Sequence, residues 1–377
     1  MQKHYILFLF VGIQLLQQVL AGTALWAQDT QPAHIGLLYP LSTQGTMSPR
    51  YINRFSLHAL TGVSGGESGF AAYGLTGLVK GDAAGVQIAG LVNLSQGNLR
   101  GVQVSGISSL AGTCTSCTQL SGIASINRGQ STVQVSGIYN HTDSVEASQI
   151  AGLVNVATKV DGLQAAGIAN YADAIQGVQI GGLLNVADQV HGSQISGLIN
   201  RAGTVKGVQI AGLINIADSS AHPIGILNLI KNGEKRLGWS IDENLTTVAS
   251  FRSGGRKTYG IIGLGTSLQH PDLSVAIEAG LGITLARQGA FRLDAEVSNL
   301  YSTNFAGSEF SKTGIRLLPA VLLGKRLQVY GGPSLSYTHV KTSRSFDSGS
   351  ISLWSRTGYR AEHSVDLGMT IGVQFIL

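Results

Sequence analysis

The chain has 377 residues, 51 of them glycine, and only 12% are charged. A disordered chain shows high charge and low hydrophobicity, the reverse of this composition. The net charge of +5 lies mostly outside a weakly charged central repeat region, which excludes a nucleic-acid-binding stripe.

Residues 1–27 begin with a short polar stretch containing Lys3, continue as an apolar run over 5–20, and end in small residues up to Ala27. This pattern predicts a secretory signal peptide cut after Ala27 or Gln28. Gln14, Gln17 and Gln18 interrupt the run, and nothing later is apolar over the length a transmembrane helix needs. Any membrane crossing must then be made by strands. Residues 28–68 hold two candidate strands, 35–40 and 55–62, expected to close against strands near the C-terminus.

Residues 69–230 form the repeat region. Glutamines recur at 87, 103, 119, 134, 149, 164, 179, 194 and 209, with two steps of 16 residues followed by steps of 15. Each glutamine is followed by glycine three residues later. Six residues after it comes asparagine, as at Asn155, Asn170, Asn185, Asn200 and Asn215. A branched aliphatic residue stands four before the glutamine at Val145, Val160, Ile175, Val190 and Val205. So short a fixed period specifies a stacked architecture and leaves no room for an active-site domain.

Two folds fit. In a parallel β-solenoid each unit is one coil, and equivalent residues stack about 4.8 Å apart. Gln149, Gln164, Gln179, Gln194 and Gln209 would then form one ladder and the asparagines another. In one large antiparallel barrel each unit would be a strand plus a turn. Alternate turns of a meander lie at opposite ends, so its natural repeat is a strand pair of about 30 residues. The single period of 15 favours the solenoid, as does the aliphatic position before each glutamine, which can fill a solenoid core. Residues 69–79 read as a degenerate first coil. At the other end Pro223 breaks the period before a charged stop at 231–236, and 231–256 reads as a linker or cap.

Cys114 and Cys117 fall just before the third glutamine. An exported chain meets an oxidising compartment, so a local disulfide is expected. No strand-to-helix context and no second cysteine pair support a redox or zinc centre.

From 257 to 377 the pattern becomes strict alternation. Phe291, Leu293, Ala295 and Val297 interleave with Arg292, Asp294, Glu296 and Ser298, and the last strand alternates from Val365 to Leu377. Runs of ten or more suit strands of an outer-membrane-type barrel with a polar interior. The link at 324–325 is tight, whereas 301–311 and 341–362 are longer. Short turns face the periplasm and long loops the exterior in such barrels, and this count puts the repeats on the periplasmic side. Six C-terminal strands plus the two candidates near the N-terminus would make eight. Residues 237–251 could add one or two strands and reverse the side assigned to the repeats.

Gly207-Val-Gln-Ile-Ala-Gly-Leu-Ile-Asn215, with the flanks Ile35-Gly-Leu-Leu-Tyr-Pro-Leu-Ser-Thr43 and Phe251-Arg-Ser-Gly-Gly-Arg256, resembles the uncharacterised bacterial surface-repeat proteins of spirochaetes and Bacteroidetes. The resemblance spans most of the mature chain and implies envelope association. It brings no catalytic residues.

Chemistry is sparse. Gly62-Val-Ser-Gly-Gly66 matches a nucleophile-elbow pattern without the surrounding α/β alternation that such an elbow needs. His191 and His222 read as surface residues, and Asp188 and Asp218 as turn formers. The expected protein is an all-β, non-enzymatic envelope component, without cofactor or metal. Its solenoid is anchored by a barrel, with outer-membrane lipid as partner and an envelope protein or glycan as a further one. The alternatives are a channel built from the repeats and a polysaccharide-acting solenoid. Specificity is expected where units deviate: Cys114–Cys117, Tyr139-Asn140-His141, Arg201 and the loop 341–362.

Overall fold

The computed structural model describes residues 29–255, 257–270, 273–305, 308–341, 349–358 and 362–377. The expected signal peptide lies outside the described residues. The chain is all-β, a parallel solenoid of about 12 coils and an antiparallel eight-stranded barrel. It divides into two compact units at Ile180/Gly181.

In the first unit successive coils pair in parallel at the repeat offset. Gln149 lies beside Gln164, Asn140 beside Asn155, and Val145 beside Val160. The two 16-residue steps keep the same partners, Gln87 beside Gln103 and Gln103 beside Gln119. In the second of these steps the register slips by one between Ser95 and Asn98 and returns between Leu99 and Val102, a pair of compensating irregularities. The parallel pairing removes the reading of the repeats as antiparallel barrel strands.

Each coil is held from inside by its own amides. Gln149, Gln164 and Gln179 are fully buried, and each Nε2 donates to the Oε1 of the glutamine one coil before, at 2.8–2.9 Å. The asparagines form a second ladder of opposite direction: Asn140 Nδ2 donates forward to Asn155 Oδ1, and Asn155 to Asn170, both at 3.0 Å. Asn155 Nδ2 also donates to Ala165 O, tying its own coil to the next. Val145, Val160 and Ile175 are buried in the solenoid core, as expected. Glycine follows each glutamine by three because a Cβ at Gly152 or Gly167 would run into the carbonyl oxygen of the preceding coil's corner glycine.

The second unit continues the pattern through strands Leu184–Ser196, Ile199–Ala211, Ile214–Ile224 and Leu227–Ile230. The barrel follows: β1 (Lys235–Asp242), β2 (Thr246–Gly254), β3 (Thr258–Ser267), β4 (Val275–Gln288), β5 (Phe291–Thr303), β6 (Glu309–Leu323), β7 (Leu327–Lys341) and β8 (Glu362–Ile376). Neighbours pair antiparallel throughout, and β8 closes the barrel on β1 with Trp239 opposite Val373. A further strand, Ile351–Thr357, lies against the start of β8.

Two boundary expectations change. Residues 28–68 do not reach the barrel: His34–Leu38 pairs in parallel with Tyr51–Ser64, which pairs with Gly66–Tyr73, so both candidate strands are solenoid coils. Residues 231–256 are no linker, because they contain β1 and β2. The barrel still has eight strands, all from the C-terminal part. The repeats enter at the barrel end from which β1 starts.

The last coil meets the β2–β3 hairpin. Ser253 Oγ accepts from Asn228 N at 3.0 Å, Asn228 Nδ2 donates to Ser253 O, and Thr258 Oγ1 donates to Pro223 O. Gly260 is required at this junction, since a Cβ there would meet the carbonyl oxygens of Gly225 and Ile226. The hairpin thereby covers an edge that would otherwise expose unpaired backbone.

The ladder carries a direct test. In Gln164→Ala, Gln149 Oε1 loses its donor and Gln179 Nε2 loses its bond to Gln164 Oε1, both buried. A loss of roughly 2–4 kcal/mol is expected, read as a lower denaturant midpoint. Lys159→Ala on the exposed side of a neighbouring coil should stay within about 0.5 kcal/mol of the parent.

Candidate functional site

The strongest physical demand for a partner comes from the barrel wall. Strand alternation sends one set of side chains out and the other into the lumen. Outward go Leu237, Trp239, Ile262, Leu264, Val297 and Ile315, with Trp239 60% and Leu264 63% exposed. The same face continues through Leu335, Met369, Ile371 and Phe375. Inward go Arg236, Arg252, Arg292, Lys312, Glu278, Asp294 and Glu296, all buried. The polarity is inverted relative to a protein folded in water.

Side chains fill the lumen. Arg252 Nε donates to Glu296 Oε1 at 2.8 Å, Tyr259 OH donates to the same oxygen at 2.9 Å, and Arg316 Nη2 bridges Glu296 and Glu278. Nearer the end that receives the repeats, Asp294 holds Arg236 Nη1 at 3.1 Å and Arg292 Nε at 2.7 Å, and Glu234 completes that group. Toward the other end Lys312 pairs with Asp242 and Glu243. Removing so many charges from water is tolerable only because each finds an opposite partner. The cavity between Asp242, Glu278, Lys312 and Arg316 is about 30 Å³, which holds about one water. An eight-stranded barrel has an interior just wide enough for side chains, and here they occupy it.

The residues singled out by sequence fall elsewhere. Gln149, Gln164, Gln179, Gln194, Gln209 and Asn155, Asn170, Asn185, Asn200, Asn215 are wholly buried, so they are structural ladders and touch no outside molecule. Cys114 and Cys117 are joined by a disulfide and buried against Val79, Leu99 and Ala111. Tyr139 and His141 stack with ring centroids 6.5 Å apart, and Arg201 is exposed. His191 and His222 are exposed, as expected; Asp188 and Asp218 are exposed too, but they lie within the strands Leu184–Ser196 and Ile214–Ile224 and form no turn. Ser64 ends a strand and is buried, with no helix after it, so the elbow pattern makes no elbow. Of the loop 341–362, residues 342–348 and 359–361 lie outside the described residues. Ile351–Thr357 is an exposed strand.

Sequence reasoning missed one cluster. In the first coils, where no glutamine occupies the ladder position, His34, Asn53, Ser56, His58, Glu67 and Tyr73 are buried together. Ser56 Oγ lies 2.8 and 2.9 Å from the two Glu67 oxygens, and Tyr73 OH donates to Oε1 at 3.2 Å. His58 stacks on Tyr73, and its Nε2 is 3.2 Å from His34 Nδ1. Burial pushes the Glu67 carboxyl up to about 7, against the pull of hydrogen bonds from Ser56, Ser64, Tyr73 and Asn53. Burial, with the neighbouring His58 ring, brings His34 down to about 4, and burial also lowers His58. The six residues come from positions 34 to 73, and no spacing rule joins them. The cluster is closed to solvent and makes a core in place of amides.

Among known proteins, no family model, curated protein or solved structure matches the chain.

The buried groups make two measurable claims. Glu67 is raised in the fold, so its contribution is full below about 4.5 and is lost as pH rises through about 7. His34 is depressed, so its contribution is full above about 6.5 and is lost as pH falls through about 4. The slopes oppose one another between these limits. In Glu67→Gln only the histidine slope remains, and the unfolding midpoint should rise steadily with pH across that window more steeply than in the parent. In Glu296→Gln, Arg252 and Arg316 lose their shared negative charge in a closed lumen. A cost of roughly 3–5 kcal/mol is expected, read as barrel melting at lower temperature.

Proposed function

We propose that the protein is a non-enzymatic component of a bacterial cell envelope. The barrel anchors it in the outer membrane, and the solenoid serves on the periplasmic side as a structural or binding element. The observation that carries this reading is the inverted polarity of the barrel, an apolar outer wall around a lumen of paired charges. Water would leave that wall unsatisfied, whereas hydrocarbon matches it, and a closed barrel leaves no unpaired backbone in lipid. The filled lumen suits an anchor and not a channel.

Loop lengths support the orientation. At the end from which β1 starts, the strands are joined across 255–257, 289–290 and 324–326, all short. At the other end the β1–β2 link 243–245 is also short, but the connections 268–274, 304–308 and 342–361 are longer, the last holding its own strand. Short turns belong to the periplasmic side of such barrels, and the solenoid joins there. The likeness of the repeat units to surface-repeat proteins of spirochaetes and Bacteroidetes is in keeping with an envelope address.

Extraction from the envelope should require detergent, and the extracted protein should migrate differently in gels before and after boiling. Release by salt or alkali alone would overturn the anchor. A peptide tag inserted after Ser350 should bind antibody on intact cells, whereas a tag at Gln189 should bind only after the outer membrane is permeabilised. The reverse pattern would put the solenoid outside.

A further inference from the structure

The solenoid carries an apolar ridge that its own fold does not use. In every unit the residue after the corner glycine is leucine or isoleucine and points outward. In the second unit these are Leu183, Leu198 and Leu213, 47%, 40% and 46% exposed. Ile195 and Ile210, one residue after their glutamines, precede the same corner glycines and are also exposed. The first unit has its own copy, with Leu153 and Ile168 each 41% exposed.

Coil pairing does not require these side chains. The corner is stitched by backbone, Leu198 N to Leu183 O at 3.3 Å and Leu213 N to Leu198 O at 3.2 Å, which any residue could supply. The buried amides set the register. Other outward positions vary freely: Val186 is followed one coil on by Arg201 and then Ile216, and His191 by Lys206. No charged residue falls between a repeat glutamine and its asparagine in any unit. An uninterrupted apolar strip of this kind marks an interaction surface.

The ridge ends on the barrel wall. Gly225 and Ile226, the corner of the last coil, lie against Gly260. Gly260 faces outward, because its neighbour Tyr259 faces the lumen and the next outward residue is the exposed Ile262. The cross-strand partner of Gly260 is Ser253, which holds Asn228 on the same outer face. Leu198, Leu213 and Ile226 therefore lead onto the apolar belt and not over the lumen.

We propose that this ridge rests on the phospholipid surface of the membrane that holds the barrel, inserting its aliphatic side chains at the boundary of headgroups and acyl chains. The proposal depends on the anchor reading above. A lipid surface is favoured over a second copy of the chain by the ridge's uniformity. A strip that repeats itself at every coil specifies no register for a protein partner, while a fluid surface needs none. The absence of charge along the strip means that zwitterionic lipid suffices and that added salt has little effect.

Full-length protein refolded into phosphatidylcholine vesicles provides the test. With Trp26, Trp239 and Trp354 replaced by phenylalanine, a single tryptophan is introduced as Leu198→Trp, Leu213→Trp or, on another corner, Gln189→Trp. A parallel variant keeps only Trp239. Amphipathic surfaces sit roughly 5–10 Å into the boundary, so lipids brominated high on the acyl chain should reduce emission from positions 198 and 213 about twofold. Position 189 should be unaffected, and Trp239 should be quenched. Quenching at 239 without quenching at 198 and 213 overturns the ridge proposal and leaves the anchor standing. If the unquenched emission is also blue-shifted and grows with protein density, a second copy covers the ridge instead. No quenching at 239 overturns the anchor and the ridge together, and equal quenching at 189 overturns the ridge as the contact.

Discussion

A side-chain amide buried in a dry interior must find its partners or cost more than burial returns, and the solenoid is organised around that requirement. The repeat glutamines find partners in the same residue one coil away, the asparagines from Asn140 on do likewise, and nearby backbone carbonyls take what remains. A slip by a single residue would break both ladders at once and leave a column of polar atoms without partners. The ladders run in opposite senses, glutamine Nε2 donating toward the N-terminus and asparagine Nδ2 toward the C-terminus. Their dipoles therefore oppose, and neither end of the stack accumulates the partial charge of an aligned series.

A ladder must stop somewhere, and both stops are occupied by different structures. At its beginning Gln87 Nε2 has no partner, because Ala71 takes the glutamine place in the coil before. There the core changes to the buried group of Glu67, Tyr73 and the two histidines. At its end Gln209 Oε1 is unpartnered, because Pro223 stands opposite and offers no donor. Below that proline the β2–β3 hairpin takes over, with Ser253 receiving the last asparagine. The barrel thus serves the solenoid as an edge cover, while the solenoid begins where the barrel's short turns lie. Within the barrel the same rule holds in stronger form, with charges in place of amides and most of them paired with an opposite charge.

The outer surfaces follow a different logic. Wall and ridge are both apolar and exposed, and neither is demanded by the internal pairing of its own element. The wall alternates with lumen charges at a period of two, and the ridge recurs at the coil period. They meet at Gly260, where only glycine permits the approach. A single apolar environment outside the protein would satisfy both.

How much of this was legible in the sequence follows from the range of each interaction. Gln, Gly and Asn at fixed offsets within 15 residues identified the coil, and Val145, Val160 and Ile175 identified its filling, because these contacts repeat with the chain itself. Alternation around Glu296 likewise identified a wall and a lumen. The residues at 35–40 and 55–62 were readable as strands but not as coils, since an apolar alternating segment suits either architecture and only its neighbour decides. Residues 231–236 read as a charged stop because four of the six are charged, and only the partner of Arg236, Asp294, 58 positions away, shows that its charge is internal. The buried cluster from His34 to Tyr73 was invisible for the same reason. Local period belongs to the sequence by itself. Which edge a strand joins, and which charge answers another, was decided by tertiary structure, because those partners are set by proximity in space and not along the chain.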